Sequence, residues 1–260
     1  MRLIQVSTNC YYSTPEDATD RPCLGYIKTS NYTGVMIDAG ASENHAKAFM
    51  ELLKKNNLPY PSLCILTHSH WDHTFGLNAL GIPCYASQET FNKMRFENTS
   101  LLEIAKKLSK EDDYREAALY KSLSNEMSFC IDHMMVEYKK DFSKIKLCLP
   151  SNRIPLYAAI QSCYGNIHAY PDPNFLHSND SVLILASTDK ILFAGDALYR
   201  HFDLDASHDN KWLETRLPIA KHVINELNAM DFELAITGHG YAMTKEELLD
   251  DLIESYFWIN

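Results

Sequence analysis

The sequence lacks long apolar runs. No stretch approaches 18 uninterrupted apolar residues, which argues against a helix that crosses a bilayer. The strand-like run at residues 3–6 is too short for the apolar core of a signal peptide. The seven cysteines are scattered without a Cys-x-x-Cys pair, which argues against a disulfide framework or a structural zinc knot. We therefore expect a soluble, cytoplasmic protein with no membrane partner.

Positive charge is also scarce. Lys and Arg number 24 against 34 Asp and Glu, a net charge of −10. A field of this sign repels phosphate backbones. The densest basic stretches, residues 54–55 and 106–110, lie beside acidic side chains in helical patterns. We expect no nucleic-acid partner; the expected partner is a small-molecule substrate, and a homodimer is left open.

The chain has few residues that break regular structure. It contains 9 Gly and 10 Pro in 260 residues, with 46% apolar side chains and no visible linker or repeat. We therefore predict a single domain over residues 1–260. Short β-branched runs predict strands at residues 3–6, 23–27, 34–37, 63–66 and 82–86. Helical spacing at residues 43–56 predicts a β-α-β unit.

A largely helical pattern then occupies residues 88–140, and no Gly or Pro occurs between residues 88 and 138. We interpret it as a helical insertion that forms either a packing layer or a lid over a substrate site. Further strands are predicted at residues 145–149, 154–159, 182–186, 191–193 and 234–236, with a hairpin turn at residues 188–190. Helices are predicted at residues 212–230 and 244–257. The fold class is therefore α/β, with two sheets between helical layers.

The chemically most informative segment follows the strand at residues 63–66. It contains His68, His70, Asp72 and His73 within six residues. In extended chain, side chains two residues apart point the same way, so His68 and His70 can share one ion. Asp72 and His73 begin a helical turn and point elsewhere, which suits a second ion.

The donor types in this segment indicate which metals it can bind. Imidazole nitrogen with carboxylate oxygen suits zinc, and also iron or manganese, whereas magnesium and calcium prefer oxygen ligands alone. A single histidine is more often a hydrogen-bonded core or surface residue. Three histidines and an aspartate at one strand end would all need partners, which favours a metal site.

The pattern His68-x-His70-x-Asp72-His73 after an apolar strand resembles the signature of the metallo-β-lactamase-fold hydrolases, in the branch that resembles glyoxalase II and the lactonases. The other motifs of that family also have counterparts: Asp38 ends an early strand, Asp196 follows the strand at residues 191–193, and His239 lies in a Gly-His-Gly turn. The family's lone histidine matches His177, with His168 as the competitor. His177 is favoured because a strand directly follows it.

This resemblance implies an αββα four-layer sandwich that holds two divalent metal ions, most often zinc, with iron or manganese as alternatives. It assigns His68, His70 and His177 to one ion, Asp72, His73 and His239 to the other, and Asp196 to both. Asp38 would support the ligand loop, and Asp72 would pass a proton to the leaving group. Tyr199 resembles the tyrosine that lactonases of this fold direct at the substrate carbonyl.

The implied activity is hydrolysis of a small ester-like substrate (a lactone, a thioester or another acyl compound) by hydroxide that the metal pair activates. One alternative is a mononuclear iron oxygenase of the persulfide dioxygenase type, in which His68, His177 and Asp196 hold the iron. A phosphodiesterase on the same fold is another. A binding module that has lost catalysis is a third, weakened because every ligand position is occupied by a suitable residue.

Overall fold

The computed structural model describes residues 1–154, 158–162, 165–198 and 210–257. Among these residues, thirteen strands form two sheets. The first sheet contains β1 (Leu3–Gln5), β2 (Cys10–Ser13), β3 (Gly25–Lys28), β4 (Gly34–Ile37), β5 (Pro61–Ile65), β6 (Cys84–Ala86) and β7 (Asn152–Arg153). The second contains β8 (Ala158–Ser162), β9 (Gly165–Pro171), β10 (Val182–Ala186), β11 (Ile191–Gly195), β12 (Leu234–Thr237) and β13 (Met243–Thr244).

Helices lie between and after these strands. They are α1 (Glu43–Lys55), α2 (Trp71–Thr74), α3 (Gln88–Lys93), α4 (Thr99–Leu108), α5 (Ala118–Lys121), α6 (Asn125–Glu137), α7 (Asn210–Ala229) and α8 (Lys245–Phe257). Two 3-10 turns, Asp17–Thr19 and Leu77–Ala79, and a π-helical turn, Met94–Asn98, complete the described helical segments. None of the described helices has the length and hydropathy that a membrane crossing requires.

Each sheet contains both antiparallel and parallel pairs of strands. Strands β1 to β4 are antiparallel, whereas β4, β5, β6 and β7 run parallel. Helix α1 joins β4 to β5, which confirms the predicted β-α-β unit. In the second sheet β10 and β11 form the predicted hairpin, and β11 then pairs parallel with β12. The carboxyl ends of parallel neighbours meet at one edge of each sheet, and this edge is where the polar residues gather.

The two sheets pack face to face. Ile27, Ile37 and Ile65 of the first sheet share a buried apolar cluster with Ile184 and Phe193 of the second. A second cluster lies between the first sheet and α1, and a third between the second sheet and the helices α7 and α8. Helices therefore cover both outer faces, which confirms the predicted four-layer αββα arrangement.

The helical insertion packs around α2 rather than standing apart. Trp71 and Phe75 share a buried cluster with Leu102 and Leu108 of α4 and with Met134 of α6. The cluster forms because each of these helices carries one apolar face. The insertion thus borders the turn that bears the motif histidines.

One predicted strand was wrong, and two of the longer observed strands were not predicted. Residues 145–149 form no strand. Their apolar residues alternate with polar ones because Ile145 and Leu147 pack against the helical insertion, and not because they pair with another strand. Strands β2 and β9 were not predicted. The competitor His168 lies within β9 and pairs with Leu185.

Candidate metal centre

Four strand ends supply the site. Asp38 follows β4, the segment from His68 to α2 follows β5, Asp196 follows β11, and His239 lies just beyond β12. The apolar strands are buried in the core, and the first polar residues after each strand therefore lie together at the shared edge of the sheets. The two sheets meet there, and the Val182 N–H donates to the Thr67 carbonyl at 2.7 Å.

One group of ligand atoms consists of imidazole nitrogens. His68, His70 and His177 each offer a nitrogen, and these nitrogens all lie within 4.8 Å of one another. His177 Nε2 lies 2.9 Å from His70 Nδ1. The structure therefore brings His177 to the position that the resemblance implies, whereas His168 lies outside both groups and stacks against Tyr170.

The second group mixes carboxylates and imidazoles: Asp72, His73, Asp196 and His239 offer ligand atoms within 4.8 Å of one another. His73 Nε2 lies 3.1 Å from Asp72 Oδ2 and 3.2 Å from Asp196 Oδ2. His239 Nε2 lies 3.1 Å and 3.4 Å from the same two oxygens. Two imidazoles thus face two carboxylates around a shared centre.

Asp196 faces both groups with one oxygen. Its Oδ2 lies 3.8 Å from His68 Nε2 and 3.7 Å from His177 Nε2. The same atom lies within 3.2 Å and 3.4 Å of the His73 and His239 nitrogens. A single carboxylate therefore stands between the two sets of donors.

Asp38 lies behind the candidate ligands. Its Oδ2 faces His73 Nδ1 at 2.8 Å and accepts from Thr67 Oγ1 at 2.8 Å, while its Oδ1 accepts from the Thr67 N–H at 2.7 Å. Thr67 Oγ1 in turn lies 3.1 Å from His68 Nδ1. Asp38 is thus linked to one histidine of each group without belonging to either.

The residues present suit a bound cation. His68 Nε2 and Asp196 Oδ1 are buried and have no hydrogen-bond partner among the described residues. Buried polar atoms without partners are costly, and a cation would satisfy both. Gly238 leaves room beside them, because a Cβ there would collide with the Asp196 carboxylate. Imidazole and carboxylate donors match the preferences of zinc, iron and manganese.

The electrostatics of the site point the same way. Burial alone would lower the pKa of His73, but the charges of Asp72 and Asp196 raise it well above the usual value. Burial likewise opposes the protonated form of His239, while Asp196 and Asp72 raise its pKa to about 11. Burial, together with His73 and His70, holds the pKa of His68 well below its ordinary range. The carboxylates therefore create a negative field that attracts positive charge, protons or metal alike.

Sequence reasoning missed two residues that contact this centre. Asp20 Oδ1 lies 3.6 Å from His239 Nδ1, and Asn98 Nδ2 donates to the Ser69 carbonyl at 2.7 Å. Neither lies in a motif, and nothing in its local pattern signals the contact. Tyr199, predicted to contact substrate, lies outside the described residues.

Comparison with known proteins identifies the fold. Residues 20–81, which contain Asp38 and the motif histidines, match the family described as "Metallo-beta-lactamase superfamily". A metallo-β-lactamase from Pontibacter korlensis superposes with a TM-score of 0.61 at 15% identity, covering 100% of this chain and 99% of that chain. This chain has the metallo-β-lactamase fold. A metallo-β-lactamase from Hirschia baltica gives 0.59 at 15% identity, covering 96% of this chain and 95% of that chain.

These comparisons confirm the predicted resemblance at the level of the metallo-β-lactamase superfamily and its fold. No curated protein matches the sequence. At 15% identity the structural likeness concerns the fold alone, because unrelated reactions recur on one fold. The glyoxalase II and lactonase-like branch therefore stays a prediction, and the reaction must be argued from the site.

Proposed function

We propose that the protein is a metal-dependent hydrolase that acts on a small ester-like substrate: a lactone, a thioester or another acyl compound. The observation that carries the proposal is the position of Asp196. Its Oδ2 lies 3.2 to 3.8 Å from imidazole nitrogens of both donor groups. Such a carboxylate suits two neighbouring cations, with one group of ligands for each.

In the proposed site, His68, His70 and His177 hold one cation, and Asp72, His73 and His239 hold the other. Asp196 serves both, and zinc is the favoured metal, with iron or manganese as alternatives. When bound, such cations lower the pKa of coordinated water toward neutrality and polarise the scissile carbonyl.

The chain's own side chains have separate tasks in this proposal. Asp38 keeps the His73 ring in place through the 2.8 Å contact with Nδ1, so that Nε2 faces the centre. Asp72, held between the His73 and His239 nitrogens, is the proposed proton carrier to the leaving group. On sequence grounds alone, Tyr199 is proposed to donate a hydrogen bond to the substrate carbonyl oxygen.

Charge favours acyl substrates over phosphodiesters. The net charge of −10 repels polyanions such as nucleic acids. A lactone or thioester is neutral at its reacting carbonyl and meets no such repulsion. A phosphodiesterase on this fold is therefore the second candidate.

The test compares turnover of chromogenic esters, thioesters, lactones and phosphodiesters by the purified protein and by His68→Ala. We expect hydrolysis of at least one acyl class, its loss on chelation, its return on adding zinc or manganese, and a loss of at least ~100-fold in the variant. One iron per chain with thiol-dependent oxygen uptake would support the persulfide dioxygenase type instead. Unchanged turnover by metal-depleted His68→Ala would contradict the proposal.

A further inference from the structure

The two ring nitrogens of His239 face different carboxylates. Nε2 points to Asp72 Oδ2 and Asp196 Oδ2, at 3.1 Å and 3.4 Å. Nδ1 points away from that centre, and Asp20 Oδ1 lies 3.6 Å from it. Asp20 is thus located behind His239 rather than among the donor atoms, and it belongs to neither group.

The backbone around Asp20 is held firmly. Asp20 ends the 3-10 turn Asp17–Thr19 in a left-handed conformation, φ 54° and ψ 35°, and its N–H donates to the Asp17 carbonyl at 3.2 Å. The next residue, Arg21, pairs at 2.9 Å with Glu16 and, through two nitrogens, with the buried Glu137 of α6. The turn is therefore completed by its main chain and by Arg21, and does not need the Asp20 carboxylate.

A similar arrangement, with a shorter contact, occurs at His73. Asp38 lies behind His73 as Asp20 lies behind His239, with 2.8 Å between Asp38 Oδ2 and His73 Nδ1. Asp38 also has a left-handed backbone, with φ 61°. Non-glycine residues in this conformation are uncommon and concentrate at functional sites. Both histidines of the second donor group thus have an aspartate behind the ring.

We infer that Asp20 is a positioning residue for His239: it accepts a hydrogen bond from Nδ1–H and so keeps the lone pair of Nε2 directed at the cation. Histidine ligands of metals commonly donate their other ring N–H to a carboxylate, which fixes the tautomer and the ring orientation. The Asp20 side chain is only 15% exposed, so water competes weakly for this contact. This inference rests on the proposed metal centre.

Its test is a titration of metal-free protein with Zn²⁺ against a competing chelator. Asp20→Asn and Asp20→Gly are the informative variants, because both residues accept a left-handed backbone and a defect cannot then be assigned to strain. Asp17→Asn is the matched control, since it removes one carboxylate from the exposed side of the same turn. His239→Ala identifies the binding step that depends on His239.

We expect two zinc-binding steps in the wild type. Asp20→Gly should weaken the step that His239→Ala removes by ~10- to 100-fold, and Asp20→Asn should weaken it less, because an amide oxygen can still accept. The other step and the Asp17→Asn titration should match the wild type. A ¹⁵N spectrum of the zinc-loaded wild type should show His239 protonated at Nδ1, and Asp20→Gly should lose the slow exchange of that proton.

Two results would overturn the inference alone: unchanged affinities in Asp20→Gly while the wild type binds two ions, or equal weakening of both steps together with a lowered melting temperature, which would indicate a structural role. A wild-type protein that bound neither zinc nor, in the same titration, manganese or ferrous iron would instead overturn the proposed function, and the inference with it.

Discussion

Single buried carboxylates organise this centre, and Asp38 is the clearest example. It accepts hydrogen bonds from the Thr67 main chain and hydroxyl and faces His73 Nδ1. It is 2% exposed, so these contacts are not shared with bulk water. One side chain thereby holds the ring of a histidine and the start of the segment that bears the motif histidines.

Asp38→Asn tests this role. Asparagine tolerates the left-handed backbone but carries no charge, and its NH₂ cannot accept from His73. We expect zinc affinity to fall by ~10- to 100-fold and the free energy of unfolding by about 1–3 kcal/mol. Chelator competition and urea unfolding measure the two effects. An asparagine variant with wild-type zinc affinity would contradict the claim that a carboxylate is needed behind His73.

His45 gives a prediction about pH. It is fully buried in α1, where Nδ1 accepts from the Ala41 N–H at 3.2 Å. Burial, with the nearby charge of Arg21, lowers its pKa to about 3. The unfolded chain therefore binds a proton here below pH ~6.5 and the folded chain does not, so stability is lost as pH falls from ~6.5 toward ~3.

We expect metal-free wild type to lose about 2–3 kcal/mol more than His45→Gln between pH 6.5 and pH 4.5, since each unit contributes about 1.4 kcal/mol. Urea unfolding of both proteins at the two pH values measures the difference. Equal losses would mean that His45 is protonated in the folded state or does not titrate in this range.

At the scale of elements, the helical insertion contacts the turn that bears the motif histidines through hydrogen bonds as well as through apolar packing. Asn98, at the end of the π-helical turn, donates to the Ser69 carbonyl and to Thr74 Oγ1. Thr74 Oγ1 itself donates to the His70 carbonyl at 2.9 Å. The insertion therefore holds the main chain on both sides of His70. A role as a lid remains a proposal, whereas a packing layer is what the contacts show.

Asn98→Asp removes the donor while keeping the shape of the side chain. A buried carboxylate would then face the Ser69 carbonyl, and we expect a loss of about 1–3 kcal/mol with weaker zinc binding. Asn92→Asp is the control, because Asn92 lies in α3 of the same insertion and its side chain bonds Gln88 near the surface. Thermal unfolding compares the two. Equal melting temperatures in the two variants would show that the hydrogen bonds of Asn98 do not stabilise the protein.

Helix α4 was predictable in detail, and its neighbours were not. The stripe Leu102, Ala105 and Leu108 is buried on one face, as the helical spacing predicts. The apolar residues at helical spacing over residues 117–127 are divided between two helices, because α5 ends at Lys121 and Ser124 caps α6 by accepting from the Met127 N–H. The capping residue Ser124 starts a new helix although the apolar spacing continues through it. The π-helical turn has no sequence signal of its own.

At the scale of the whole molecule, two sheets must meet for the site to form. The contact is close at Gly25, where a Cβ would lie 2.6 Å from the Phe193 ring and 2.9 Å from the Ile37 Cβ. Local spacing predicted that His68, His70, Asp72 and His73 lie together. It could not predict that His177, Asp196 and His239 join them, because that depends on sheet packing; only the family resemblance supplied it.

Gly25→Ala should therefore separate the sheets locally and destabilise the protein by about 1–3 kcal/mol. Phe193→Leu should restore part of this loss, because the smaller side chain leaves room for the added methyl group. A double-mutant cycle in urea measures the coupling, which we expect to exceed ~0.5 kcal/mol. Additive effects would show that the two residues do not limit each other.

The central claim is that two cations share the Asp196 carboxylate. Metal analysis of the protein purified from a metal-supplemented culture, compared with Asp196→Ala, tests it most directly. We predict about two divalent ions per chain in the wild type and fewer than about one in the variant. A wild type with one ion or none, or a variant that retained both, would contradict the account.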